Sequence, residues 1–147
     1  MSLIAQLLKP ENIVIDLNVS SKKRLFEHVG LIFENNDGIA QRTVFESLFA
    51  REKLGSTGLG RGVAIPHGRI KGLKKVCSVF VRLNPAIPFE SPDGQPVSLL
   101  FILLVPEIAN ELHLQILSEL AQRFAAPEFR EALANAQEAS AIRDCFA

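Results

Sequence analysis

The chain has 147 residues, and its 16 Lys and Arg residues balance its 16 Asp and Glu residues. This length is typical of one domain, so we expect residues 1–147 to form a single unit. The lack of net positive charge argues against a nucleic-acid partner, and no apolar run reaches the roughly 20 residues of a membrane-spanning helix.

The two cysteines and the first residues indicate the cellular compartment of the protein. Cys77 and Cys145 lie far apart and outside any CxxC pattern, so reduced thiols are expected rather than a disulfide. The opening residues MSLIAQLLKP lack the charged start, apolar stretch and cleavage site of a signal peptide. We therefore expect a cytoplasmic protein that is not itself a membrane protein.

The first half of the chain predicts a short helix, a strand and two amphipathic helices. Apolar residues at positions 3, 4, 7 and 8 have helical spacing and stop at Pro10, after which NIVID predicts a strand. Ser20 or Ser21 can cap a helix that ends near the sequence NNDG. A further helix is predicted from about Gln41 to Gly55.

The second half predicts two strands followed by helices. VCSVFVRL and VSLLFILLV are rich in β-branched and apolar residues, and the segment NPAIPFESPDGQP between them is typical of turns. An amphipathic helix is predicted from Asn110 onward, Pro127 suits the first turn of the next, and the tail predicts alanine-rich helix. Helices before, between and after strands indicate an α/β fold, a three-layer sandwich with a mixed β-sheet flanked by helices on both faces.

Glycines are concentrated in GSTGLGRG, residues 55–62. Closely spaced glycines and hydroxyls can bend the backbone into a nest of N–H groups for an anion, which makes Ser56, Thr57 and Gly58 candidate phosphate-binding residues. The segment lacks the Lys-Ser/Thr ending of a P-loop, and it does not follow a strand as a dinucleotide-binding motif would. A flexible surface loop is the alternative.

His67 lies in the sequence GVAIPHGR. Pro66 fixes one backbone dihedral and restricts Ile65, and Gly68 is expected to let the chain leave at angles that other residues resist. A ring presented in this way can act as a nucleophile, because a hydrogen bond to one ring nitrogen leaves the lone pair of the other free. A structural or surface histidine is the alternative.

Two residues near the end of the Gln41 helix are also notable. Arg51 falls at the edge of the apolar stripe, so its guanidinium can reach over the following loop, although it could equally be a favourable cation near a helix C-terminus. Glu52 would fall in the middle of that stripe, which means either that the helix frays there or that Glu52 has a polar partner.

His113 is placed three residues after the candidate cap Asn110. In the first turn of a helix, the free N–H groups and the dipole disfavour an imidazolium and favour a nearby anion. A hydrogen-bonded core histidine is the alternative.

Together these residues suit transient phosphorylation of a histidine nitrogen, with Arg51, hydroxyls and N–H groups stabilising the phosphoryl oxygens. Neither a cofactor nor a metal is expected. A metal-dependent hydrolase using His67, His113 and Glu107 is a remote alternative, because HxxxH and HxH spacing are lacking. A structural adaptor with inert histidines is another.

The segments REKLGSTGLGRGVAIPHGR (51–69), LLFILLVPE and HLQILSELAQRF resemble the IIA proteins of the bacterial phosphoenolpyruvate-dependent sugar phosphotransferase system, fructose/mannitol type. The resemblance covers essentially the whole chain, and LGSTGLGRGVAIPHGR is most similar to the nitrogen-regulatory members. It implies that His67 is phosphorylated on Nε2, that Arg51 and His113 flank the phosphoryl group, and that the fold is a mixed sheet between helices.

The resemblance also implies partners. A histidine phosphocarrier protein of the HPr or NPr type would donate the phosphoryl group, and this phosphotransferase component would act mainly as a carrier and regulator. Its targets would be proteins bound according to phosphorylation state, with potassium transport and nitrogen or carbon regulators as candidates. The new charge would lie at a surface rimmed by Leu59, Ile65 and Pro66. A sugar-specific IIA that passes phosphoryl to a IIB domain is the alternative.

Overall fold

The computed structural model describes residues 2–108 and 111–147, and helices come before, between and after the strands. In chain order the elements are α1 (Leu3–Leu7), a 3₁₀ turn (Pro10–Asn12), β1 (Ile13–Leu17), α2 (Lys22–Asp37), α3 (Gln41–Leu54), β2 (Gly58–Gly60), β3 (Val63–Ala64), β4 (His67–Ile70), β5 (Cys77–Ile87), β6 (Val97–Pro106), α4 (Glu111–Phe124), α5 (Pro127–Asn135) and α6 (Ala139–Cys145).

The described strands form a six-stranded mixed sheet. The strand order is β1-β5-β6-β3-β2, with β1 parallel to β5, β5 antiparallel to β6, and β2 antiparallel to β3. Both β3 and β4 run parallel to β6, where β3 pairs with residues 99–100 and β4 with residues 103–106. The short strands β3 and β4 therefore lie on the same side of β6, separated at residues 65–66, and β2 pairs with the outer side of β3.

Side chains of the central strand β6 alternate between two apolar layers. Leu100, Ile102 and Leu104 pack beneath α2 and α3, whereas Phe101 and Leu103 pack on the opposite face with α1, α4, α5 and α6. An almost continuous apolar run in β6 follows from this arrangement, because both of its faces are covered. The predicted three-layer sandwich is confirmed.

The helix ends follow the local sequence signals. Ser21 caps α2 by accepting the Arg24 N–H, and Gly38 ends the helix with a left-handed φ of 70°. Pro127 occupies the first turn of α5, as predicted. The predicted cap Asn110 lies outside the described residues.

One expectation about the second half was incomplete. The segment predicted as turns contributes strand, because β5 continues to Ile87, which pairs with Val97 after a register shift. Ile87 and Phe89 are buried beneath α2 and α3, so apolar packing outweighs the proline-rich local signal. The tail is helical, as predicted, and the Arg82 side chain donates to three carbonyls at the end of α5.

Candidate functional site

His67 lies directly after the break between β3 and β4. It is the first residue of β4 and pairs with Leu103, whose N–H donates to the Pro66 carbonyl at 3.0 Å. Pro66 has no N–H, and the regular pairing resumes at His67. The imidazole therefore projects from a backbone held on β6.

One nitrogen of the His67 ring is held by the backbone. Nδ1 lies 2.9 Å from the Ile65 carbonyl oxygen, which can only accept a hydrogen bond, so Nδ1 carries the proton. In the neutral ring the lone pair is consequently on Nε2. This is the tautomer that a nucleophile reacting at Nε2 requires.

The structure brings the three residues predicted to carry the chemistry to one cavity. His67, Arg51 and His113 all line a cleft of about 560 Å³ between α3 and α4, at the β4 edge of the sheet. Arg51 comes from the last turn of α3 and His113 from the first turn of α4. His113 is 7% exposed and belongs to the buried face of its helix.

Burial lowers the pKa of His67 below its ordinary value of 6.5. The hydrogen bond to the Ile65 carbonyl and the charge of Glu52 act in the opposite direction, whereas the charges of Arg51 and Arg69 lower the pKa further. The net effect is a lowered pKa, which favours the neutral form of the ring.

We expect the His67 ring to titrate with a midpoint below that of a histidine in an unstructured peptide, as measured by NMR. Acceptance of a phosphoryl group should be independent of pH above this midpoint and fall below it, because protonation removes the Nε2 lone pair. Arg51→Ala should raise the midpoint, because a neighbouring positive charge is lost. A midpoint at or above the peptide value would contradict the role of burial.

The Arg51 side chain bonds the end of its own helix and also lines the cleft. Its Nη1 donates to the Gly55 carbonyl at 2.8 Å, which satisfies a group at the helix C-terminus, and the guanidinium also lines the cleft beside His67. Both interpretations of Arg51 therefore describe part of its position.

The glycine-rich segment forms a hairpin rather than a flexible loop. Strands β2 and β3 are joined by Arg61 and Gly62, whose φ values of 58° and 81° are those of a tight hairpin turn. Ser56, Thr57 and Gly58 precede this turn and line a second cavity of about 210 Å³ together with His67 and Arg51.

Four donors of these three residues are engaged within the protein. The Thr57 N–H and hydroxyl donate to the Glu52 carboxylate, the Gly58 N–H donates to Ser56 Oγ, and the Ser56 hydroxyl donates to the Phe89 carbonyl. Binding of a phosphoryl group by them would require these hydrogen bonds to be exchanged. Their role as phosphate-binding residues stays a prediction.

Glu52 has a polar partner, and α3 continues past it to Leu54 without fraying. The residue is buried, and its carboxylate is contacted by Thr57 and by Lys22 Nζ, the latter at 3.3 Å. The acid on an apolar helical stripe indicated such a contact, but nothing in the sequence pointed to Lys22 in another helix.

Gly68 is required for a different reason from the one predicted. It is not among the residues with positive φ, so unusual backbone angles do not explain it. A Cβ atom at this position would overlap Ser47 Oγ and lie 3.1 Å from Ser47 Cβ, because α3 packs directly against β4. The Ser47 hydroxyl donates to the Arg69 carbonyl at 2.8 Å across this contact.

Gly68→Ala should destabilise the protein by about 1–3 kcal/mol, because the added methyl group overpacks the contact between α3 and β4. Chemical denaturation with equal m-values for both proteins measures this difference. Adding Ser47→Ala should restore part of the loss by removing the overlapping hydroxyl. Equal stabilities of the wild type and the single variant would contradict this account of Gly68.

Exposed leucines surround the cleft. Leu54 is 86% exposed, Leu114 is 70% exposed and both line the larger cavity, while Leu59 is 45% exposed beside the smaller one. The predicted rim was only partly right, because Ile65 packs into the core beneath α4 and Pro66 is also buried. The exposed apolar surface near His67 is therefore made by Leu54, Leu59 and Leu114.

The residues of the hydrolase alternative are dispersed. Glu107 lines a separate cavity beside the turn at residues 71–74, not the cleft that holds His67 and His113. Across residues 2–108 and 111–147, no group of three or more His, Cys, Asp or Glu side chains is arranged to hold a metal ion. In the same part of the chain no helix has the length and apolar composition needed to cross a membrane.

Comparison with known proteins gives a consistent result. Residues 6–147 match the family described as "Phosphoenolpyruvate-dependent sugar phosphotransferase system, EIIA 2". The chain is 42% identical over 144 residues to a nitrogen regulatory protein of Bradyrhizobium diazoefficiens, covering 98% of this chain and 94% of that protein. It is 40% identical over 140 residues to a nitrogen regulatory protein of Pseudomonas aeruginosa, covering 95% and 91%.

A solved structure is similar over the full length. The crystal structure of nitrogen regulatory protein IIA-Ntr from Neisseria meningitidis superposes with a TM-score of 0.95 at 51% identity, covering 99% of this chain and 100% of that one. The fold is thus that of a phosphotransferase-system IIA protein. The chain belongs to the EIIA 2 family of the phosphoenolpyruvate-dependent sugar phosphotransferase system, and it is similar to nitrogen regulatory members of that family.

Proposed function

We propose that the protein is a phosphoryl carrier and regulator, phosphorylated on Nε2 of His67 by a histidine phosphocarrier protein. The observation that supports this most directly is the bond from Nδ1 to the Ile65 carbonyl, which leaves the Nε2 lone pair available in a ring that shares a cleft with Arg51 and His113. The similarity to nitrogen regulatory proteins supports a donor of the nitrogen-related type.

In the transfer step, the Nε2 lone pair of His67 attacks the phosphorus of a phosphohistidine on the carrier. The new N–P bond forms as the N–P bond of the carrier breaks, and the electron pair of the broken bond returns to the carrier imidazole. The Nδ1 proton stays on His67, bonded to the Ile65 carbonyl, so no base is needed to activate the nucleophile.

Arg51 and His113 line the same cleft as His67, which supports a role for both in stabilising the charge of the phosphoryl group. The Arg51 guanidinium has further N–H donors besides the one bonded to Gly55, and these can meet the equatorial oxygens of the phosphoryl group. His113, in the first turn of α4, would face the same group from the other side of the cleft.

Phosphorylation would change which proteins dock at this surface. It adds up to two negative charges between the exposed side chains of Leu54, Leu59 and Leu114. An apolar partner surface that fits the free form would then be opposed by an unpaired charge, whereas a partner with arginines would be favoured. We place this regulation in the cytoplasm, with transport or nitrogen and carbon regulators as candidate targets.

The test is incubation with phosphoenolpyruvate, enzyme I and a histidine carrier, followed by intact-mass analysis. We expect the wild-type protein to gain one acid-labile phosphoryl group. The absence of any gain, with the carrier shown to be charged, would refute carrier chemistry.

A second candidate function is sugar transport, which the description of the family itself supports. In that case the phosphorylated protein would transfer its phosphoryl group rapidly to a IIB domain specific for fructose or mannitol. Retention of the group in the presence of these IIB domains would favour the regulatory function.

A further inference from the structure

A continuous series of hydrogen bonds connects a buried carboxylate in α3 to the His67 ring. The Glu52 carboxylate accepts the Thr57 N–H at 3.0 and 3.1 Å and the Thr57 hydroxyl at 2.6 Å. The Thr57 carbonyl accepts the Ile65 N–H at 3.1 Å. The Ile65 carbonyl in turn accepts the proton of His67 Nδ1, at 2.9 Å. Thr57 and Ile65 thus link the Glu52 carboxylate to the ring.

The carboxylate at the start of this series is held in place by its surroundings. The Glu52 side chain is 5% exposed, and Lys22 Nζ lies 3.3 Å from Oε2. The ammonium group of Lys22 also lies 4.4 Å from the centre of the Phe89 ring and 3.6 Å from the Glu90 carboxylate. A buried carboxylate is tolerated only when charged and polar partners surround it, and here those partners come from α2 and from the segment after α3.

The same residue also constrains the segment that Arg51 contacts. Glu52 follows Arg51 in the last turn of α3, and the Gly55 carbonyl that accepts the Arg51 Nη1 bond lies between Glu52 and Thr57 in the chain. The bonds from Glu52 to Thr57 close this segment of residues 52–57. One carboxylate thus constrains both the carbonyl that Arg51 contacts and, through Thr57, the backbone that leads to His67.

We propose that Glu52 is a positioning residue for phosphoryl transfer, which acts through Thr57 and Ile65 to hold the His67 ring in its Nδ1–H tautomer. The proposal rests on the proposed function, in which His67 is the nucleophile. Glu52 does not touch the reacting atoms. Its effect is to fix the position of the carbonyl that selects the tautomer.

Two physical effects make this coupling specific to a carboxylate. A peptide N–H that donates to a charged acceptor forms a stronger bond than one that donates to a neutral acceptor, so a carboxylate holds Thr57 and the carbonyl that accepts the Ile65 N–H more firmly. A glutamine at this position would also turn one donor toward the Lys22 ammonium, so the Thr57 donors would lose part of their acceptor. The Ile65 carbonyl would then be less firmly placed.

The test is the tautomer of His67 in the unphosphorylated protein, read from ¹⁵N chemical shifts of the imidazole nitrogens. We expect the wild-type ring to be in the Nδ1–H form and the Glu52→Gln ring to be a mixture of both neutral tautomers. The rate constant for phosphoryl acceptance should fall about tenfold in Glu52→Gln, the loss expected from one weakened hydrogen bond of this kind.

Glu46→Gln is the matched comparison. It removes one carboxylate from the exposed face of the same helix, where it is paired with Arg42, and it should retain the wild-type tautomer and rate. A general effect of lost negative charge on α3 would instead appear in both glutamine variants.

A folded Glu52→Gln protein with the wild-type tautomer would overturn the proposal. If Glu52→Gln does not fold, Thr57→Val removes the 2.6 Å hydroxyl bond and keeps the N–H, and it should shift the tautomer in the same direction but less. An unchanged tautomer in Thr57→Val would then overturn it. A shifted tautomer in a protein whose wild type accepts no phosphoryl group would support the link from Glu52 to the ring and refute the proposed function instead.

Discussion

Replacing His67 with alanine should abolish phosphoryl acceptance completely. The variant lacks the Nε2 lone pair that attacks phosphorus, in a ring whose Nδ1 proton is held by the Ile65 carbonyl and whose pKa is lowered by burial. The measurement is intact mass after incubation with phosphoenolpyruvate, enzyme I and a charged histidine carrier.

His28→Ala is the matched control, because it removes a histidine from α2, away from the residues that line the cleft. It should accept one phosphoryl group as the wild type does. His67 is only partly buried, so His67→Ala should remain folded, which a thermal denaturation curve checks. An acid-labile phosphoryl group on folded His67→Ala would show that another residue is the acceptor.

Arg51→Ala should lower the rate constant of phosphoryl acceptance by about 10²–10³-fold, the loss typical of removing one donor that stabilises charge in the transition state. The final extent of phosphorylation should change less than the rate. The bond from Arg51 to the Gly55 carbonyl is exposed, so its loss should cost only about 0.5–1.5 kcal/mol of stability. Rapid mixing with charged carrier measures the rate.

Two variants define what Arg51 contributes. Arg51→Lys keeps the positive charge but lacks the planar set of donors, so it should recover only part of the rate. Arg42→Ala removes an arginine from the exposed face of the same helix and should be as fast as the wild type. Wild-type kinetics in Arg51→Ala would remove this residue from the transfer step.

Several features could be predicted from the sequence because they depend on neighbouring residues. The bounds of α3, the cap at Ser21 and the first turn of α5 follow from apolar periodicity and from side chains that bond the nearest backbone groups. The presentation of His67 after Pro66 is local in the same sense, since the acceptor for Nδ1 is only two residues away.

Other features depend on how distant segments pack. The end of β5 was missed because Ile87 is stabilised by the layer beneath α2 and α3, not by its proline-rich neighbours. The role of Gly68 was misjudged because the constraint comes from Ser47, which lies 21 positions earlier in the chain on the helix packed above it.

The sequence by itself determined the layered α/β architecture, the helix bearing Arg51 and the constrained backbone at His67, because short-range periodicity and turn chemistry specify these. Only the tertiary structure decided that Arg51, His67 and His113 share one cleft, that Lys22 pairs with Glu52, and that the exposed rim includes Leu54 and Leu114. The physical reason is that burial and charge pairing arise between segments that the sheet brings together. The spacing of apolar and polar residues along the chain does not specify which segments will meet.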